Sequence, residues 1–232
     1  MIITWIGQSG YILKTSNTEI IIDPYLSDIV NKVANRPRMV EVPIKPQDIK
    51  ADAIICTHNH LDHLDPEAIE KMNKLMLFVC PSYCEEKLKS LGCKKIQTLE
   101  VSQSITVGDF KLTAVYANHT VDTIGILAEA NGKKLYFTSD TIYDEKLKEM
   151  SDYKLDIMFI CINGKLGNMN VDEAIDITND VKPKIAVPTH YGMFASNTEN
   201  PKKFTSRISN GFEMKYNIEY NFTEINGGLK NE

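Results

Sequence analysis

His58-Asn59-His60-Leu61-Asp62-His63 sets four metal-binding side chains inside six residues, directly after the apolar run Ala53-Ile54-Ile55-Cys56. A fold that accommodates this must end a buried strand in a well-supported loop, since strand ends are where loops can be aimed at a common point. His-x-His puts two imidazoles on the same side of an extended segment. The Asp-His pair beyond it can reach a second point. Imidazole with carboxylate suits zinc, iron or manganese. One ion would leave part of the set idle, so the cluster points to two ions about 3.5–4 Å apart, sharing a bridging water. The alternative is a solvated polar loop.

Histidine is scarce, with five in 232 residues. The other two, His119 in Tyr116-Ala117-Asn118-His119-Thr120 and His190 in Val187-Pro188-Thr189-His190-Tyr191, each follow a strand-like run. So does Asp140, in Phe137-Thr138-Ser139-Asp140-Thr141. Singly, either histidine could be an ordinary core or surface residue, and Asp140 a turn or cap aspartate. Three such residues at three strand ends, beside a metal-type cluster, shift the balance toward a shared site.

Around these points the chain alternates β-rich meanders with strand–helix units, twice over. Strands are expected at 2–6, 11–14, 19–23, 53–56, 75–80, 96–99, 104–107, 110–116, 123–130, 134–138, 155–160 and 184–187, from β-branched runs bounded by turn residues. Asn131-Gly132 is a hairpin signal. Asp65-Pro66-Glu67 starts a helix expected to run to about Lys74. Ser82 to about Gly92 is a second helix. Asn170-Val171-Asp172-Glu173 is a capping box, with Val171, Ala174, Ile175, Thr178 and Val181 on one face. A last helix starts at Asn200-Pro201 and ends before Gly211, while residues 27–50 are expected as a polar loop. The pattern fits a sheet-on-sheet core with helices outside, as one domain over residues 1–232.

The formal net charge of −5 counts against nucleic acid, whose partners usually carry a basic footprint. No apolar run is long enough for a membrane span. The N-terminus lacks the features of an export signal, so a cytoplasmic protein with reduced thiols is expected. The five cysteines are expected to be mostly core; Cys80-x3-Cys84 has no second pair with which to form a zinc site.

His58-x-His60-x-Asp62-His63, followed by His119, Asp140 and His190, resembles the complete ligand series of the metallo-β-lactamase superfamily, in order. The match runs from Trp5 to about Phe204. Asp23, in Ile20-Ile21-Ile22-Asp23-Pro24, corresponds to the family's first motif, a supporting aspartate. Trp5-Ile6-Gly7-Gln8-Ser9-Gly10, Asp23-Pro24-Tyr25-Leu26-Ser27, the Asn163–Asn170 glycine loop and His190-Tyr191-Gly192-Met193-Phe194 are similar to the L-ascorbate-6-phosphate lactonase group.

The resemblance implies an αββα four-layer sandwich. It implies that His58, His60 and His119 hold one divalent ion, that Asp62, His63 and His190 hold a second, and that Asp140 bridges them. Asp62, His63 and Asp140 would carry catalysis, through a metal-bridging hydroxide attacking a small-molecule ester. The implied substrate is a lactone, such as a sugar-acid (phosphate) lactone. Zinc is the expected metal and manganese the alternative. A phosphodiesterase or RNase-Z-like nuclease is the second reading, and a non-catalytic metal-binding scaffold the third. Flavin-linked oxygen reductases of the superfamily carry glutamate where His60 stands, which argues for hydrolysis.

Arg36, Arg38 and Arg207 are the only arginines. Guanidinium suits bidentate capture of an anion, so Arg36 or Arg38 is a candidate contact to an anionic substrate group or a neighbouring subunit. Tyr191 could offer a hydroxyl to an oxyanion, Asn163 could line the cleft, and Gln8 could approach the ions. A homo-oligomer is expected.

Overall fold

The computed structural model describes residues 1–222 and 229–231. Its larger sheet contains β1 (Ile2–Gly7), β2 (Gly10–Lys14), β3 (Glu19–Ile22), β4 (Ala53–Ile55), β5 (Leu77–Cys80), β6 (Lys95–Thr98), β13 (Glu219–Phe222) and β14 (Leu229–Asn231), in the order β14-β13-β1-β2-β3-β4-β5-β6. The smaller contains β7 (Ser104–Val107), β8 (Phe110–Tyr116), β9 (Ile124–Ala130), β10 (Lys133–Phe137), β11 (Ile157–Cys161) and β12 (Ile185–Thr189), in the order β12-β11-β10-β9-β8-β7. Among the described residues the α-helices are α1 (Ile29–Ala34), α2 (Pro66–Lys71), α3 (Glu85–Ser90), α4 (Val171–Val181) and α5 (Lys202–Thr205).

Period-two alternation builds the layers. In the larger sheet, Ile20, Ile22, Ala53, Ile55 and Val79 face the core shared with the second sheet. Their neighbours Ile21, Ile54, Phe78 and Cys80 face a separate cluster under α2 and α3, which contribute Ala68, Ile69 and Leu88. Strands buried on both faces appear in sequence as unbroken apolar runs, which is why Ile20-Ile21-Ile22 and Ala53-Ile54-Ile55 show no polar alternation. On the other side, α4 has the predicted capping box and buries the five residues of its predicted face. The result is the expected αββα sandwich.

Boundaries moved where turn chemistry outweighed pattern. Helix α2 ends at Lys71 rather than Lys74, and α3 is preceded by a 3₁₀ turn at Ser82–Cys84. The 27–50 loop contains α1 and a 3₁₀ turn at Pro46–Asp48. The long 3₁₀ segment Glu145–Tyr153 and the edge strands β13 and β14 were not anticipated. Among the described residues beyond Pro201 only one short turn, α5, is helical. All five cysteines are buried and free. Burial pushes the Cys80 and Cys161 thiols up to about 12 and the Cys84 thiol up to about 11. Among the described residues no helix is long and apolar enough to cross a membrane.

One carboxylate ties the α2 start to the β3 exit. Asp65, 1% exposed, caps α2 by accepting from Ala68 N, and also accepts from Leu26 N, Ser27 N and Ser27 Oγ. Asp65→Ala would orphan these donors as well as the cap. An unfolding free-energy loss of about 2–4 kcal/mol is expected in urea denaturation. A loss under about 0.5 kcal/mol, the range of featureless surface changes, would contradict this role.

Candidate metal centre

Strand direction gathers the site. β1, β3 and β4 run in one direction in the larger sheet, and β8, β10, β11 and β12 share a direction in the smaller. Gln8 follows β1, Asp23 follows β3, and the His58–His63 loop follows β4. His119, Asp140 and His190 follow β8, β10 and β12. All these side chains lie at carboxyl ends of strands, the general location of sites in α/β sheets.

Two donor groups result: His58, His60, His119 and Asp140, and next to them Asp62, His63 and His190. Within each group, one ligand atom from every residue lies within 4.8 Å of the others. His60 Nδ1 stands 3.1 Å from His58 Nε2 and 3.2 Å from His119 Nε2. Nitrogens around a tetrahedral zinc at 2.0–2.1 Å would be about 3.3 Å apart, so this spacing fits a shared ion. Asp140 reaches both groups: Oδ2 is 3.1 Å from His190 Nε2 and 3.7 Å from His119 Nε2, and Oδ1 is 3.3 Å from His63 Nε2. His63 Nε2 and Asp140 Oδ1 are buried and make no hydrogen bond beyond this 3.3 Å contact with each other. Orphaned buried atoms of this kind are what a cation would satisfy.

The outer nitrogens are committed elsewhere, which fixes the tautomers. His63 Nδ1 donates to Asp23 Oδ2 at 2.8 Å, and His119 Nδ1 to Gly167 O at 2.9 Å. His58 Nδ1 lies 3.1 Å from Thr57 Oγ1, which itself donates to Asp23 Oδ2 and accepts from Ser139 Oγ. Gln8 Nε2 donates to Asp62 Oδ2 at 2.8 Å and lies 3.2 Å from His190 Nε2.

Burial, reinforced by His63, pushes the His58 ring well below the usual histidine range. Burial and His119 lower His60. Both shifts favour the neutral ring, the form that binds metal. Burial works against charge on His63 and His190, but the neighbouring carboxylates together prevail and raise them: Asp140 with Asp23 at His63, and Asp140 with Asp62 at His190. Burial works to raise the Asp140 carboxyl; the His190 and His63 rings prevail and hold it well below the usual carboxylate range.

Other candidates are placed differently. Arg38 does not reach the site: Nη1 donates to Tyr25 O and Ser27 O, Nε to Val40 O and Nη2 to Glu41 O. Its donors are spent on carbonyls, and its guanidinium lies over the Tyr25 ring at 4.8 Å. Tyr191 is buried against Trp5, ring centroids 4.8 Å apart, and lines no part of the cleft. Asn163 stands behind the wall, donating to Asn197 Oδ1 at 2.8 Å. Arg36 does line the cleft, a cavity of about 460 Å³ that includes His60, Asp62, His119, Asp140 and His190. The sequence reading missed its apolar side, formed by Val30, Leu61, Leu166 and Phe194. Leu61 was marked only by its place inside the histidine motif. It also missed Thr57 and Ser139, whose signal is a hydroxyl residue just before a candidate ligand.

A model of the beta-lactamase superfamily domain matches residues 18–191. The chain belongs to this superfamily. It is 30% identical to a UPF0173 protein of Pyrococcus abyssi, over 84% of this chain and 85% of that one. It is 28% identical to a UPF0173 metal-dependent hydrolase of Archaeoglobus fulgidus, over 90% of each. Among solved structures, a metallo-β-lactamase fold protein from Bacillus subtilis superposes with a TM-score of 0.73 at 20% identity, covering 95% of this chain and 99% of that one. An isothiocyanate hydrolase from Delia radicum gut bacteria does so with 0.81 at 18% identity, covering 96% and 99%. At these identities the likeness to the solved structures establishes the fold.

Gly167 tests how His119 is held. Its φ is +87°, and a Cβ would lie 2.8 Å from Thr120 Cγ2 and 3.0 Å from His119 Nδ1. At Gly132, φ +70°, a Cβ would meet nothing within 4 Å. Gly167→Ala should therefore cost about 1–3 kcal/mol more than Gly132→Ala in urea unfolding, and should shift the His119 ring resonances in NMR. Equal costs with unmoved resonances would contradict this.

Proposed function

We propose that the protein is a metal-dependent hydrolase of small-molecule esters, lactones first among them. The observation that carries this reading is the convergence of three imidazole nitrogens at 3.1–3.2 Å, beside a second donor group that shares Asp140. His58, His60, His119 and Asp140 would hold one divalent ion, and Asp62, His63 and His190 a second. Zinc suits the imidazole-rich set, with manganese as the alternative. Such ions, when bound, lower the pKa of water and polarise a carbonyl or phosphoryl oxygen.

The remaining work falls to the chain. Asp23, Gly167 O and Thr57 fix the tautomers of His63, His119 and His58, so each keeps its other ring nitrogen for the donor groups. The Gln8 amide holds Asp62 in orientation. Asp62, His63 and Asp140 are the proposed catalytic residues, which would orient the attacking water through the ions they hold. Hydrolysis adds one water across the acyl C–O bond and yields an acid and an alcohol, or one hydroxy acid from a lactone.

Protein purified without added metal should contain close to two ions per chain by elemental analysis. Fewer than about one would overturn the two-ion reading. His60→Ala should lower turnover by more than the roughly 10–100-fold that loss of an outer partner costs, with the circular dichroism spectrum retained. Persistent activity would place the chemistry elsewhere. The deciding assay is a panel of aliphatic lactones, sugar-acid lactones, their 6-phosphates and bis(p-nitrophenyl) phosphate. Turnover confined to the last would favour phosphodiester chemistry instead.

A further inference from the structure

The cleft has one side built for charge and another built for hydrocarbon. Arg36 is the only lysine or arginine among the described residues lining it. Its guanidinium makes no hydrogen bond or ion pair with any described residue. The other two arginines are engaged, Arg38 on four carbonyls and Arg207 on Asp172 at 2.6 Å. Arg36 is also held in place by its backbone. Asn35 before it caps α1 with φ +53°, and Pro37 after it confines Arg36 to extended conformations. The anchored Arg38 side chain and the bond from Met39 N to Met193 O pin the segment from the other end. The pinned backbone keeps Arg36 at the cleft, and its partner-free guanidinium is available for bidentate pairing with a planar anion.

The opposite character comes from Val30, Leu61, Leu166 and Phe194. Val30, Leu61 and Phe194 belong to one small packed cluster with Tyr25 and Met193, so this wall is formed in advance. Leu166 remains 55% exposed on a backbone with φ +55°. A non-glycine residue there costs about 1–3 kcal/mol and tends to persist at sites of function. The neutral polar side chains on the wall are Thr120 and Asn197, too few to match the hydroxyls of a sugar.

We propose that the cleft selects esters or lactones with an apolar body and a single carboxylate, the carboxylate held by Arg36 and the body packed under Leu166. One guanidinium matches one carboxylate in a bidentate pair. This rests on the hydrolase reading for its chemistry but not for its binding. It disfavours polyhydroxylated sugar lactones as substrates.

Two measurements test it. With metal-loaded protein, kcat/KM is compared for mono-p-nitrophenyl adipate, which carries a free carboxylate, and neutral p-nitrophenyl hexanoate. Arg36→Ala should lower the adipate-to-hexanoate ratio about 10-fold or more, mainly through KM, and Arg36→Lys should recover part of it. Leu166→Asn retains a residue that tolerates this backbone; it should cut the preference for hexanoate over acetate esters about 10-fold. Second, metal-free protein is titrated with phenylacetate by NMR. Saturable shifts at Leu166 and Phe194 are expected in the wild type and should be lost in Arg36→Ala.

Wild-type protein that hydrolyses no ester yet binds phenylacetate through Arg36 would sink the hydrolase reading and support this one. Ester turnover with an unchanged ratio, unchanged phenylacetate binding in Arg36→Ala, or faster turnover of sugar-acid lactones or their 6-phosphates than of hexanoyl esters would each overturn it.

Discussion

The Asp23 carboxylate is the contact on which the site's arrangement depends. Both oxygens are used: Oδ1 accepts from Thr57 N, and Oδ2 accepts from Thr57 Oγ1 and His63 Nδ1. One buried side chain thereby joins the end of β3 to the end of β4 and to the far end of the histidine motif. Ser139 Oγ, donating to Thr57 Oγ1, extends the network to the second sheet. A buried charge is tolerated only when its hydrogen bonds are made in full, and here making them also brings the donor groups together.

A second strut crosses between the sheets at Gln8. Its carbonyl accepts from Trp5 Nε1, Thr189 Oγ1 and His190 N, binding the end of β1 to the end of β12. The conformations at these crossings are costly. Gln8, Asp23, Ser139 and His190 all have φ between +45° and +63°, the left-handed region that disfavours side chains. Strain of this kind survives where surrounding bonds over-determine the geometry. Three acceptances at Gln8 O and three at Asp23 do so.

Much of this was legible in the sequence, for identifiable reasons. Donor spacing, strand alternation and the capping box at Asn170 are local signals, and each found its place. The site residues most visible in sequence are those whose chemistry is rare, five histidines and an aspartate after a strand. The arginines were visible as residue types but not as roles. Arg36 and Arg38 differ only by a two-residue step along an irregular segment, and their opposite fates depend on carbonyls of Tyr25, Ser27, Val40 and Glu41 meeting one of them. The apolar wall was hidden because Val30, Leu61, Leu166 and Phe194 come from four separated segments. Strand β13 pairs with β1 across the whole chain, a contact no local pattern announces.

The burial of all five thiols bears on which elements this centre can choose among. Thiolates draw soft ions such as cuprous copper, and all five thiols are buried and none belongs to either donor group. Selection is left to imidazole and carboxylate, which favour borderline and harder divalent ions. Oxidants find no exposed sulfur of cysteine through which to disable the cleft. The fold thus keeps its five thiols apart from the donor groups that would hold metal.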